Sequence, residues 1–186
     1  MSVAGVRQVL DKDGMRRVLR RMANEILERN RGAGDLAMVG IRTAGVYLAQ
    51  RLARELEETE GAPVKLGVID VTLYRDDLSR GRKHPVVRRT EIPFSVDDSK
   101  IVLVDDVLFT GRTTRAALDG LMDFGRPAMV QLAVLVDRGH RELPISADYV
   151  GISVPTEREE SVIVFMEEMG RQDQVLVVGP GWEAGS

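Results

Sequence analysis

The chain has 186 residues, 44% hydrophobic and 30% charged, with a formal net charge of −3; this is enough for one packed domain and supplies no global pull toward nucleic acid. It contains no cysteine and only two histidines, His84 and His140, which excludes disulfides, thiolate–zinc sites and a histidine-rich metal centre. No apolar run reaches the ~20 residues of a membrane span, and Arg7, Asp11, Lys12 and Asp13 interrupt any N-terminal secretion core, so a cytoplasmic protein is expected.

Residues 13–30 place Met15, Val18, Leu19, Met22, Ala23, Ile26 and Leu27 on one helical stripe, with Asp11 or Asp13 as cap and Gly32 and Gly34 at the end. The apolar run 36–41 predicts a buried strand. A loop at 42–45 leads into a second helix, where Leu48, Ala49, Leu52, Ala53 and Leu56 share a face. Residues 64–74 are rich in β-branched side chains and predict a strand. From 75 to 99 periodicity vanishes, which predicts a flexible hood loop; 86–87 and 90–94 are expected to pair as a small hairpin.

Strand 101–104, helix 113–124 and strand 129–136 follow, then strands at 147–151 and 161–166, an edge strand at 174–178 and a frayed tail at 179–186. Alternation of strand and helix predicts an α/β fold: a mostly parallel central sheet flanked by helices, in a single domain spanning residues 1–186. Ligands of such sheets sit beyond the C-terminal strand ends, which places the loops after residues 41, 104 and 136 on one rim.

The densest chemistry lies at 101–113, IVLVDDVLFTGRT. A buried strand runs into two carboxylates, Asp105 and Asp106, and then into Thr110-Gly111-Arg112-Thr113 at the start of a helix. The carboxylates can accept hydrogen bonds from two ribose hydroxyls. The free N–H groups and dipole of the helix start can hold a phosphate.

This segment resembles the diphosphoribosyl-binding motif of the type I phosphoribosyltransferases. Three further stretches, GIRTAG at 40–45, DVTLYRDDL at 70–78 and QLAVLVDRGHRELPISADYVG at 131–151, narrow the resemblance to the PyrR family. Its members are regulators of pyrimidine-operon attenuation and uracil phosphoribosyltransferases. The resemblance runs from about residue 13 to about residue 166, and it implies the following roles.

5-Phosphoribosyl-1-diphosphate binds with Mg²⁺, and uracil displaces diphosphate to give UMP. Asp105 and Asp106 take the ribose hydroxyls and favour positive charge at C1. Thr110, Gly111, Arg112 and Thr113 cradle the 5-phosphate. Arg42, Thr43, Ala44 and Gly45 meet the diphosphate, with Arg75 from the hood as a further anion contact. Arg138 and Val162 face the uracil. Mg²⁺ is carried by substrate oxygens and water, with no direct protein ligand. Purine-specific relatives carry a carboxylate where this chain has Phe109, which lowers the purine reading.

The resemblance also implies UMP-dependent binding of pyrimidine-operon leader mRNA, by a surface containing Arg16, Arg17, Arg20, Asn24 and Arg141, and a homodimer or higher homo-oligomer. Four departures matter. Ala44 stands where relatives carry an arginine, which predicts weak transferase activity. Arg20 and Asn24 replace Thr and His, and Ser146 replaces Arg. The alternative is a phosphoribosyltransferase acting on another base, with RNA binding lost.

Overall fold

The computed structural model describes residues 5–74 and 89–183. A strand, β1 (Val6–Leu10), leads directly into helix α1 (Lys12–Asn30). The cap of α1 falls on Asp11, whose carboxylate accepts the Gly14 N–H at 2.6 Å. Arg31 ends the helix in the left-handed region at φ 57°, and the Gly32 N–H returns to the Leu27 carbonyl.

Strand β2 (Leu36–Ile41) is buried along its whole length, and helix α2 (Ala44–Glu60), strand β3 (Lys65–Ile69), strand β4 (Lys100–Leu108) and helix α3 (Arg112–Met122) follow. Strands β5 (Met129–Asp137), β6 (Tyr149–Ser153), β7 (Ser161–Phe165) and β8 (Gln174–Val178) complete the chain.

Five strands form a parallel sheet in the order β3-β2-β4-β5-β6. Helices α1 and α2 cover one face through Met15, Met22, Ile26, Leu48, Leu52 and Leu56, packed with Val102, Val104 and Leu135. Helix α3 covers the other through Ala116, Ala117 and Leu121, packed with Ile101, Leu103 and Val134. Each fully buried leucine contributes about 1.5–3 kcal/mol of transfer free energy. A second sheet, antiparallel, has the order β1-β8-β7. Val164, Met166, Val175 and Val177 from this sheet join the core under α1 and α2.

After β2 the chain forms β3 on one side of it, then returns to form β4 on the other. The loops after β2 and β4 therefore part at a topological switch point, where α/β sheets bind ligands.

Several expectations need correction. The strand expected at 64–74 stops at Ile69, because the Asp70 carboxylate accepts both the N–H and the hydroxyl of Thr72 and turns the chain into a 3₁₀ turn at Thr72–Tyr74. The hairpin partner of 90–94 is β3: Glu91 bridges Val68 antiparallel, while 86–87 lie outside the described residues. Of the expected hood, residues 75–88 also lie outside them. Residues 89–99 are pinned, with Val96 buried and Thr90 Oγ1 accepting the Asp70 N–H.

The expected edge strand at 174–178 is the middle strand of the second sheet, paired with β1 and β7. In the expected frayed tail, the Gly179 N–H donates to the Gly5 carbonyl and Trp182 packs edge-on against Phe165, while residues 184–186 lie outside the described set. The β5–β6 connection contains no helix, which breaks the strand–helix alternation.

Two contacts fix the helices to the sheets. At the start of α2, a Cβ on Gly45 would lie 2.5 Å from the Val104 carbonyl oxygen and 3.2 Å from the Asp105 Cα. Only glycine allows this approach of helix to strand. Farther along α2, Arg51 binds Asp173 through both guanidinium nitrogens at 2.6 and 2.9 Å, and also binds Glu168. Burial works against both Asp173 and Arg51 in their charged forms. The Arg51 hydrogen bonds and the Glu167 N–H nevertheless hold the Asp173 carboxyl below its ordinary range, and the same guanidinium lowers Glu168.

Gly45→Ala should therefore destabilise the fold by about 2–3 kcal/mol, read by denaturant unfolding. Arg51→Met leaves Asp173, 5% exposed, without its counter-charge, and should cost about 3 kcal/mol at pH 7. The sign with pH follows. The depressed carboxylates of the native protein contribute stability above their unfolded pKa and lose it as pH falls. In the variant, burial of Asp173 is opposed only by the Glu167 N–H and the charge of Lys12, so its carboxyl lies higher than in the native protein and protonation relieves part of the defect. The stability gap between the two proteins should narrow from pH 7 toward about pH 4. A gap that widens on acidification refutes this account.

Candidate active site

Asp105 and Asp106 do not end their strand. The ladder with β5 continues to Leu108, because β5 supplies pairing partners beyond the acids. Side-chain alternation slips by one residue across the pair: Val102 and Val104 face the α1–α2 core, and so does Val107. At the slip, Asp105 accepts the Asp106 N–H and Asp106 accepts the Val107 N–H, each at 2.9 Å. Asp105 is 7% exposed and Asp106 is half-buried.

A cavity of about 340 Å³ opens at this strand end. Asp105, Val107, Leu108, Phe109, Thr110, Gly111, Arg112, Thr113 and Thr114 line it, whereas Asp106 is not among its lining residues. Gly111 has φ 92°, a conformation that favours glycine, and a Cβ there would press on the Ile145 side chain at 3.3 Å. Neither cap residue, Gly111 of α3 nor Thr43 of α2, supplies a side-chain cap, in contrast to Asp11 of α1, although the Thr110 hydroxyl accepts the Arg112 N–H at 3.3 Å. The two helix N-termini beside Asp105 thus keep N–H groups for an anion.

The loop at 42–45 differs from expectation in where its side chains go. The Arg42–Thr43 peptide is cis. The Arg42 guanidinium donates from Nε and Nη2 to the Arg89 carbonyl at 3.1 and 2.9 Å, so it ties this loop to the segment beside β3. Ala44 is buried in the α1–α2 core, and Gly45 packs on β4. Thr43 is the exposed side chain of the four. Arg75 lies outside the described residues.

Arg138 forms neither of the surface ion pairs open to it with Asp137 or Glu142. It is 6% exposed, with its guanidinium 4.0 Å from the Phe109 ring centroid. Its donors reach Thr156 Oγ1 and the carbonyls of Glu157 and Arg158. Burial lowers its pKa. A ring nitrogen of His140 meets the Thr156 carbonyl at 2.7 Å, a structural role for this residue. Val162 lies on β7 paired with Val177 and packs against the core; it is not a lining residue of the cavity.

Arg141, expected on an RNA surface, is instead committed to the loop itself. It bonds the Asp137 carboxylate and four main-chain carbonyls. Burial pushes the Asp137 carboxyl up, but the Arg141 bond and the Gly139 N–H prevail and lower it. Glu142 receives Arg112 Nε at 2.9 Å and also Arg158, and both bonds lower its pKa.

On α1, Arg16 pairs with Asp13, Arg20 with Glu55 of α2, and Arg21 with Glu25 and the Val150 and Gly151 carbonyls. Arg17 and Asn24 are exposed, and Arg17 has no acidic partner among the described residues. Thr114, buried in the cavity wall, and the Glu142 bridge were not singled out from the sequence. The doubled threonine at 113–114, in the first turn of α3, is the signal that could have found the former.

Comparison with known proteins agrees with this geometry. The phosphoribosyl transferase domain matches residues 5–174. The chain is 58% identical over 171 residues to the bifunctional protein PyrR of Pelotomaculum thermopropionicum, covering 92% of this chain and 94% of that one. It is 53% identical over 171 residues to the bifunctional protein PyrR of Bacillus subtilis, covering 91% and 94%. Among solved structures, the hypoxanthine phosphoribosyltransferase of Trypanosoma cruzi superposes with a TM-score of 0.71 at 21% identity, covering 94% of this chain and 97% of that one. This last likeness carries the fold alone. With two acids near the end of β4's ladder, a helix start behind a glycine turn, and relatives this similar over nearly their whole length, the chain belongs to the phosphoribosyl transferase domain family and, within it, to the PyrR group.

Proposed function

We propose that this chain, as a single catalytic domain, transfers the phosphoribosyl group of 5-phosphoribosyl-1-diphosphate to uracil, and that its product UMP licenses binding of pyrimidine-operon leader mRNA. The observation that carries the transferase reading is the cavity shared by Asp105 and residues 107–114, beside the starts of α2 and α3.

In this reading the backbone N–H groups of Thr110–Thr113 hold the 5-phosphate at the start of α3. Asp105 and Asp106 accept the ribose hydroxyls. Their charge favours the cationic character that grows at C1 as the bond to diphosphate breaks and the bond to uracil nitrogen forms. The uracil N–H proton leaves to solvent or diphosphate. Positioning supplies much of the rate, and no side chain acts as nucleophile.

The diphosphate is met at the start of α2, by main-chain N–H groups and Thr43, because Ala44 is buried and Arg42 is turned to Arg89. Arg75 is a further anion contact on the strength of the resemblance. The missing arginine at position 44 makes the transferase slow relative to its relatives. Mg²⁺, a hard cation, keeps water and substrate oxygens as its ligands in this reading, with the carboxylates of Asp105 and Asp106 as nearby negative charge and not as direct ligands. When bound, it offsets the charge of the departing diphosphate.

Uracil sits against the loop after β5, with Arg138 and main-chain atoms near its edge and Val162 behind. Phe109, pinned under Arg138, offers no proton acceptor to a purine ring nitrogen, which favours the pyrimidine over the alternative of another base. For RNA, the exposed face of α1 supplies Arg16, Arg17, Arg20 and Asn24, with Arg17 free of an acidic partner among the described residues. The active species is a homodimer or higher homo-oligomer in the cytoplasm.

The double variant Asp105→Asn, Asp106→Asn should lose UMP formation from labelled uracil, diphosphoribosyl substrate and Mg²⁺, while its circular dichroism spectrum stays native. Retained turnover removes the carboxylates from the mechanism. Arg20→Ala should weaken UMP-dependent binding of leader RNA and lower its salt slope by about 1. Equal affinity and slope would confine Arg20 to its ion pair with Glu55.

A further inference from the structure

Three successive peptide planes of the phosphate loop have their carbonyls held by one neighbouring segment. The Leu108 carbonyl accepts the Arg138 N–H at 3.1 Å and Arg141 Nη1 at 3.4 Å. The Phe109 carbonyl accepts Arg141 Nη1 at 2.7 Å. The Thr110 carbonyl accepts the N–H groups of Glu142 and Leu143 at 2.9 and 3.2 Å. In a strand, successive carbonyls point to opposite sides. Here the segment 138–143 gathers all three.

In a trans peptide the carbonyl and the following N–H point in opposite directions. Holding the carbonyls of 108, 109 and 110 on one flank therefore turns the N–H groups of Phe109, Thr110 and Gly111 toward the other. Successive N–H groups presented together form an anion-binding concavity. Main-chain donors hold the first and third carbonyls. The middle one, at Phe109, is held by a side chain, that of Arg141.

Arg141 is itself well anchored. Its Nη2 binds the Asp137 carboxylate, Nε donates to the Ile145 carbonyl at 3.0 Å, and Nη1 also reaches the Gly139 carbonyl at 3.2 Å. Two neighbours fix the Phe109 ring while Arg141 fixes its main chain: Arg138 lies over the face and His140 meets the edge with centroids 5.9 Å apart. The guanidinium charge also polarises the peptide it grips, which makes the Thr110 N–H a stronger donor.

We infer that Arg141 is a positioning residue for the nucleotide phosphate: it orients the Phe109–Thr110 peptide so that the phosphate loop is preformed. Its Nε, its Nη1 and one of its two Nη2 hydrogens are engaged inside the loop, so its contribution to ligand binding runs through that peptide. This rests on the proposed reading of the cavity as a phosphoribosyl site.

The test titrates UMP by calorimetry into the wild-type protein, Arg141→Met and Arg141→Lys, with steady-state kinetics on the same proteins. Arg141→Met should weaken UMP binding about tenfold and raise the KM for 5-phosphoribosyl-1-diphosphate similarly, with kcat within about threefold and the KM for uracil unmoved. Arg141→Lys should recover part of the loss, since an ammonium can reach the Phe109 carbonyl but cannot also fork to Asp137. A merely structural role would lower the active fraction, and hence kcat, at unchanged UMP affinity.

A folded Arg141→Met protein that binds UMP as tightly as wild type overturns the inference. Should that variant not fold, Asp137→Asn, which frees the Arg141 anchor, is expected to show a smaller loss in the same direction, and unchanged affinity there also overturns it. Failure of the wild-type protein to bind UMP would instead overturn the functional reading beneath it.

Discussion

The closest approach in this molecule on which its chemistry depends is that of the α2 N-terminus to the end of β4. Gly45 rests on the Val104 carbonyl and the Asp105 Cα with no room for a methyl group. That contact sets the distance between the loop after β2 and the acids on β4, two features more than 50 residues apart in sequence. Without it, the loop after β2 and the acids of β4 would be separate surfaces. Because both strands are buried on both faces, the helix cannot shift to absorb an added atom without disturbing the core.

A second constraint acts from the opposite side. The long connection after β5 makes no helix, so its main-chain groups need partners elsewhere. They find them on Leu108, Phe109 and Thr110, while Glu142 collects Arg112 and Arg158. The connection is thus ordered by the loop it borders, and it orders that loop in return. The Arg51 network plays the corresponding structural part at the far edge, tying α2 to the segment that links β7 and β8.

The parts that could be read from sequence are those whose causes are local. Leu36–Ile41 was legible to the residue because a strand covered on both faces is a continuous apolar run bounded by polar residues. The acids and the glycine turn at 105–113 were legible for the same reason. β1 was not, since Val6–Leu10 is largely exposed and becomes a strand only through β8, more than 160 residues away. Nor was the continuation of β4 through Asp105 and Asp106, which β5 imposes by pairing. Arg138 and Arg141 were assigned to ligands because the sequence displays their charge and not their acceptors. Those acceptors are mostly main-chain carbonyls, which any residue provides and no motif records.

This bears on how arginines should be read in such a chain. Arg42, Arg138 and Arg141 all lie near helix starts or strand ends where anions would bind, yet each is committed to carbonyls or carboxylates of the fold. The donors that line the cavity are then backbone N–H groups at the start of α3, in a loop held by Arg141 and by the Arg138 main chain. A main-chain donor cannot swing away and loses no rotamer entropy when it meets an oxygen, unlike a long guanidinium side chain. On the proposed reading, a site of this kind places the sugar phosphate firmly without an arginine at position 44. The charge that Ala44 does not supply would then serve the leaving diphosphate, so its effect would belong to the chemical step more than to the capture of the phosphoribosyl group.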